Sequence, residues 1–394
     1  MRYLTADVVY PIVGLPIDKG VVVLDDEGTI VRVAEQTAFV GQHMERHRGA
    51  LVPGFVNTHC HLELSHLLGQ IPTGTGLPLF IQQVVRTRGF ADEASIRAAI
   101  ERADALMFEA GIVAVGDISN TTDTLTTKAA SKISYYTFVE MFDFLQPERA
   151  EATFAQYEAV YQQFATKLGV HDRLQRVPHA PYSVSAELFD RINAANGAGG
   201  TVSIHNQETP GEQAMFRDKA GALLALFESF DLNYDHFSAT GRSSIHYALE
   251  HLDPTQRTLF VHNTLTSTAD INAAQAWSDQ VYWATCANAN LYIENRLPNY
   301  QHFLDAGAKV TIGTDSLSSN WQLDVLEELK VIARYQSYLS TEMLLQWATL
   351  NGAEALGMAD RLGSFEPGKR PGVNLVALDG RRKIDANSTV RRLV

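Results

Sequence analysis

The stretch VPGFVNTHCHLELSHLLG, residues 52–69, decides how the chain folds. An apolar run reaches Phe55 and Val56, then places His59 and His61 two residues apart, with Glu63 and His66 close behind. In a strand, residues i and i+2 point to the same face, so both imidazoles project together from one strand end. A strand end that happens to carry histidines is the plain reading. A metal site is the sharper one, and the rest of the chain discriminates.

Working outward, short β-branched runs recur: LVPGFVN, IVAVGD, ISYYTFVE, QRVPHA, TVSIHN, TLFVHN, VYWATC and KVTIGTD. Between most of them lie stretches with apolar residues at helical spacing, such as DEASIRAAIERADALMFEAG and GEQAMFRDKAGALLALFESF. Strand and helix alternating about eight times predict an α/β protein with a parallel sheet closed as a (β/α)8 TIM-type barrel. A doubly wound open sheet is the alternative, but its Gly-rich phosphate loop after the first strand is missing. Residues 1–50 instead read as short strands with turn chemistry, as in KGVVVLDDEGTIVRVAE, and the ending LGSFEPGKRPGVNLVALDG has the same character. Both termini, 1–50 and 363–394, are therefore expected to build one small β-sandwich domain around a barrel over 51–362.

Composition narrows the function. A 45% hydrophobic and 20% charged chain of 394 residues is that of a soluble globular protein. The net charge of −13, with no cluster of Lys and Arg, argues against nucleic acid as partner. No window approaches the length of a membrane span, and the N-terminus lacks the charged and apolar regions of a signal peptide. Two cysteines, Cys60 and Cys286, are too few for a disulfide framework, so a cytoplasmic location is expected.

In a barrel the functional side chains gather at the C-terminal strand ends. Those ends read His59 and His61, Asp117, Glu140, His179, His205 with Glu208, His262, Asn290 a little beyond the seventh, and Asp315. Neutral imidazoles suit zinc or ferrous iron, and a carboxylate commonly completes such a sphere. His205 and Asp315 supply the third nitrogen and the oxygen for one divalent metal ion, zinc before iron. Such a set leaves a position for water, whose pKa the ion lowers until hydroxide is available near neutrality. Asp315 can accept a proton from it. Glu208 is the candidate acid for the leaving side of the substrate; the alternative is an acid favoured by the N-terminus of a helix starting near Gly211. His262 is read as orienting the water, with a fifth ligand or a core histidine as alternatives. His43, His47, His171, His236, His251 and His302 are expected to be solvated.

The motifs PGFVNTHCHLE, VPHAPYSVS, IHNQETPGE, VHNTL and IGTDSLSSN, with the ending GSFEPGKRPGVNLVAL, resemble the amidohydrolase superfamily along essentially the whole chain. The His-x-x-Glu pattern from His205 to Glu208 resembles its hydrolytic deaminases and chlorohydrolases of amidine-like rings. That resemblance implies one metal on the positions of His59, His61, His205 and Asp315, with ring protonation by Glu208 and an attacking water held by His262. It also implies contact of His179 with a purine-like or nucleoside substrate. No carbamylated lysine is implied, since the fourth strand end offers His179. HLELS and HNQETPGEQAMFRDKAGAL most resemble the aminodeoxyfutalosine deaminases, in which Glu63 and Ser65 would face the nucleoside or anchor their loop. Asn290 stands for a substrate-side Asn in TCANANLYIEN, which departs from the usual His-Cys-Pro-x-Ser-Asn run. Arg86, Arg88 and Arg296 are candidates for a substrate carboxylate, with a surface position as the alternative. Dimers are common in the family. Chloride or amide hydrolysis on the same centre, and a catalytically dead binding protein, are the competing functions.

Overall fold

A computed structural model describes residues 1–169 and 171–394. All eight expected middle strands are present: β1 Phe55–Cys60, β2 Ile112–Ser119, β3 Ser134–Met141, β4 Arg173–Pro178, β5 Thr201–Asn206, β6 Arg257–His262, β7 Val281–Thr285 and β8 Lys309–Ile312. They form two four-stranded parallel sheets, ordered β4-β3-β2-β1 and β5-β6-β7-β8. Every residue of β2 and β5 is buried, as expected for parallel strands covered on both faces. Two contacts join the sheets. Cys60, ending β1, bridges in parallel to Asp315 just past β8, and the His205 amide of β5 donates to His179 O just past β4 at 2.9 Å.

Helices follow the strands and start where short polar side chains satisfy their free amides. Asp92 accepts from Ser95 N at 2.8 Å ahead of Glu93–Glu109, and Ser267 with Asp270 forms a capping box on Thr268–Trp277. The stretch 211–230 reads as one helical run but folds as two helices, Pro210–Asp218 and Ala222–Glu228. Lys219 between them adopts a left-handed φ of 49°, which ends the first helix while the apolar spacing continues unbroken.

The termini build two further sheets. One is ordered Ile30–Glu35, Gly20–Leu24, Arg2–Thr5, Glu45–Arg46; the other Val390–Arg392, Val373–Val376, Ala50–Pro53, Val8–Val9, Ile17–Asp18. Leu4, Val22 and Ile30 of the first share a buried cluster with Val9, Leu51 and Val373 of the second. The segment LVPGFVN, expected as one strand, is split between layers. Ala50–Pro53 pairs antiparallel with Val373–Val376, and β1 begins only at Phe55. Gly54 is the crossing point, and a Cβ there would lie 2.2 Å from Val113 Cγ1 and 2.5 Å from Pro371 O. No helix among the described residues is long and apolar enough to cross a membrane.

Candidate metal centre and active site

Three strand ends bring four side chains to one point. His59 Nε2 lies 3.2 Å from His61 Nε2, which lies 3.3 Å from His205 Nε2. Asp315 Oδ1 is 3.5 Å from His61 Nε2 and 3.7 Å from His59 Nε2, while its Oδ2 accepts from Ser319 Oγ at 2.8 Å. Donors held about 2.1 Å from a tetrahedral ion stand about 3.4 Å apart, and these separations bracket that value. Burial pushes His59 and His205 well below the ordinary histidine range and lowers His61, so the rings offer lone pairs. His205 Nδ1 donates to His179 O at 2.9 Å, which leaves Nε2 as the ligand atom. The residues present fit a divalent cation.

The chain is bent sharply to achieve this. Gln207, His262, Asn263 and Asp315, all at or just past strand ends, have φ between 48° and 71°, a region that non-glycine residues rarely occupy. Such conformations persist where surrounding bonds over-determine them, and they cluster at functional sites. Here the bonds are visible: Glu212 accepts from Gln207 N at 3.0 Å and from Glu208 N at 2.9 Å, and Thr264 Oγ1 donates to Gln207 O at 3.0 Å.

Glu208 precedes its helix, whose N-cap is Thr209, and the first-turn acid is Glu212. Glu208 is buried, accepts from the Tyr182 hydroxyl at 2.8 Å, and presents Oε2 to His262 Nε2 at 3.5 Å. Burial, reinforced by the negative charge of Asp315 and opposed by the Tyr182 bond, raises its pKa to about 8. His262 Nδ1 sits 2.9 Å from Asn290 Oδ1.

A cavity opens beside the cluster. His61, His179, His205, Glu208, His262 and Asp315 line its polar end, and Phe80, Ile81, Val84, Phe144 and Phe227 line an apolar wall. Burial and the neighbouring imidazoles push His179 down to about 3, so it faces the cavity as a neutral ring.

Three of the four expected substrate contacts lie elsewhere. Glu63 is buried and accepts from the amides of Asn120 and Thr121, both at 3.0 Å, anchoring the loop after β2. Ser65 Oγ donates to Leu62 O at 2.7 Å, and Asn290 is occupied with His262. None of these three lines the cavity. Arg88 does line it, with Glu63 3.5 Å away, whereas Arg86 and Arg296 are exposed outside it. Among the histidines expected to be solvated, His43, His171 and His236 are exposed. His251 instead stacks 5.7 Å from Phe189, and His302 Nδ1 contacts Thr266 O at 3.1 Å.

Other site residues carried weaker sequence signals. Tyr182 sits inside PHAPYSVS, three residues past His179, but nothing in its spacing marks it as the partner of Glu208. Glu140, one residue before the end of β3, is buried, with Oε1 3.4 Å from His205 Nδ1 and Oε2 accepting from Asn120 Nδ2 at 3.2 Å. Burial raises it to about 8.

Comparison with known proteins bears on the whole arrangement. The adenosine deaminase of Helicobacter pylori (strain ATCC 700392 / 26695) is 25% identical over 324 residues, 81% of this chain and 77% of its own. The crystal structure of Helicobacter pylori aminofutalosine deaminase in complex with methylthio-coformycin superposes with a TM-score of 0.78 at 22% identity, covering 96% of this chain and 93% of that one. Atrazine chlorohydrolase from Arthrobacter aurescens TC1, complexed with zinc, gives 0.75 at 18% identity over 96% and 88%. The model of the amidohydrolase family matches residues 50–392, from the strand that pairs with the C-terminal sheet to the last strand, and the chain belongs to that family.

Proposed function

We propose that this chain is a metal-dependent hydrolytic deaminase that replaces an exocyclic amine of a purine-like ring or nucleoside with oxygen and releases ammonia. The observation that carries the reading is the placement of a carboxyl held near pKa 8, Glu208, at the edge of a cluster of three neutral imidazoles and Asp315. An acid that keeps its proton beside a water-activating centre suits ring protonation coupled to water attack.

His59, His61, His205 and Asp315 would hold the ion, for which zinc suits three nitrogens and one carboxylate. When bound, it supplies Lewis-acid activation of water at neutral pH. The chain's own groups do the rest. Glu208 gives its proton to the ring nitrogen beside the carbon under attack. His262 and Asp315 take up protons from the water as its oxygen bonds to that carbon. The exocyclic nitrogen takes one of those two protons as its C–N bond breaks and leaves with the electron pair as ammonia, the other proton restores Glu208, and a lactam remains. His179 faces the ring, and the apolar wall suits a flat base with an apolar substituent. An adenosine derivative or aminodeoxyfutalosine meets those demands, in keeping with the named relatives.

The architecture is inferred in the same way. The Cys60–Asp315 bridge and the His205–His179 bond support closure of the two parallel sheets into one eight-stranded barrel. The cluster shared by the terminal sheets supports a small β-sandwich. Two buried free cysteines suit the cytoplasm.

The test is an ammonia-release screen across adenine nucleosides, aminodeoxyfutalosine, guanine and aminotriazines, with metal analysis of the same protein. Glu208→Gln should keep its metal and lose about 100-fold or more in kcat, the range of acid–base catalysis. His205→Ala should lose the metal itself. A Glu208→Gln protein with near-normal kcat removes this residue from the chemistry. Chloride release from a chlorotriazine without ammonia from any amine selects the chlorohydrolase reading.

A further inference from the structure

His262 and Glu208 each have one buried partner that fixes where a hydrogen can sit. Asn290 presents Oδ1 to His262 Nδ1 at 2.9 Å, and its Nδ2 points to His262 O at 3.5 Å. The His262 carbonyl can only accept, so it selects the orientation with Nδ2 toward it; the reverse would set two oxygens against each other there. An amide oxygen only accepts, so Nδ1 carries the hydrogen, and the neutral ring then keeps its lone pair on Nε2. On the other side, the Tyr182 hydroxyl has Glu208 Oε1 as its one acceptor among the described residues. The phenol therefore donates to Oε1, and the acid hydrogen of Glu208 is left to Oε2. Oε2 and Nε2 face each other at 3.5 Å, and both side chains line the cavity. Asn290 and Tyr182 are themselves 3% and 2% exposed, so both bonds are removed from bulk solvent.

We propose that Asn290 and Tyr182 are positioning residues that lock the site's protonation pattern: His262 as the Nδ1–H tautomer with a free Nε2, and Glu208 as an acid on Oε2. One lone pair and one acidic hydrogen are then presented side by side to the incoming ring and water. The inference rests on the deaminase reading and deepens it. Asn290 acts through the imidazole and Tyr182 through the carboxyl. The wrong tautomer would present a hydrogen where the water must give one up, and an acid hydrogen on Oε1 would point toward Tyr182 and away from the ring nitrogen.

Nitrogen-15 NMR of histidine-labelled, metal-loaded protein reads the tautomer without reference to turnover, with the His262 signals identified by their loss in His262→Ala. Wild type should show a protonated Nδ1 and an unprotonated Nε2. Asn290→Asp keeps an acceptor and should keep that pattern, whereas Asn290→Leu should shift it toward Nε2–H. With the substrate that emerges from the ammonia screen, Asn290→Leu and Tyr182→Phe should lower kcat by about 10- to 100-fold with little change in KM, a part of what acid–base catalysis contributes. Asn290→Asp should stay within about threefold of wild type, on the same scale.

An Nε2–H signal in the wild-type protein overturns the lock even if Asn290→Leu fails to fold. So does a Tyr182→Phe enzyme with unchanged kcat. If no amine releases ammonia yet the tautomer responds to Asn290 as stated, the deaminase reading fails and the lock on His262 stands.

Discussion

Lys128 offers the sharpest test of how the loop after His61 is held. Its side chain is wholly buried, with Nζ 2.6 Å from Asp117 Oδ2, 2.9 Å from Ser119 Oγ and 3.0 Å from Thr137 Oγ1. Asp117 in turn uses Oδ1 to accept from Leu62 N at 2.8 Å, the residue directly after His61. Lys128→Met keeps the aliphatic stem and removes the charge. Three charge-assisted bonds at about 1.5–3 kcal/mol each set a gross loss near 4.5–9 kcal/mol. Relaxation and water entry recover part of this, so the expected loss is about 3–5 kcal/mol, the usual scale for breaking a buried pair by removing one partner. Urea unfolding of Lys128→Met, Asp117→Asn and the double variant at pH 7 measures this. The double variant should recover most of the loss, since no charge is then stranded. A Lys128→Met cost below about 1 kcal/mol, or no recovery in the double variant, refutes the account of a buried pair pinning this loop.

Two other outcomes follow from single contacts. Glu208 must be protonated to donate, and it keeps its proton below about pH 8, so kcat/KM should fall as pH rises through that value. The basic limb should vanish in Glu208→Gln, and a profile flat to pH 10 counts against Glu208 as the acid. Gly54→Ala should cost about 1–3 kcal/mol in urea unfolding, since its methyl meets the Pro371 carbonyl and Val113 with no room to move aside. A change under about 0.5 kcal/mol there contradicts the close crossing between the two layers.

The strands were legible because each is a short β-branched run bounded by turn residues, and all eight are present, although the first begins only at Phe55. The cluster expected to hold a metal was legible for the same reason: its members sit at strand ends, so strand order brings His59, His61, His205 and Asp315 together without knowledge of any side-chain rotamer. What escaped depends on rotamers and on loops. Glu63 and Ser65 follow the His-x-His motif closely, but a 3₁₀ turn over Leu62–Leu67 turns them to backbone amides and carbonyls. Asn290 begins no new contact with the cavity because a helix starts at Ala287 and points the amide at His262. Lys128 gives no sign in sequence of a buried charge, since its partner Asp117 lies on another element and only the register of β2 and β3 brings Ser119 and Thr137 to it. The break at Lys219 was hidden because apolar spacing persists across it.

The chemistry of the site comes from one physical circumstance acting on two kinds of group. Removal from water disfavours charge, so it strips protons from bases and leaves them on acids. The three clustered imidazoles become neutral at the same place where Glu208 stays protonated. Returned to water, Glu208 would go back to the ordinary glutamate value of 4.5, and only about 0.3% of it would hold a proton at pH 7. At about 8 nearly all of it does, a gain of roughly 300-fold in usable acid. That factor falls within what acid–base catalysis contributes to such reactions. The apolar wall of Phe80, Phe144 and Phe227 therefore acts on the reaction as well as on binding: polar replacements there would hydrate Glu208 and lower the working acid even where the substrate still fits.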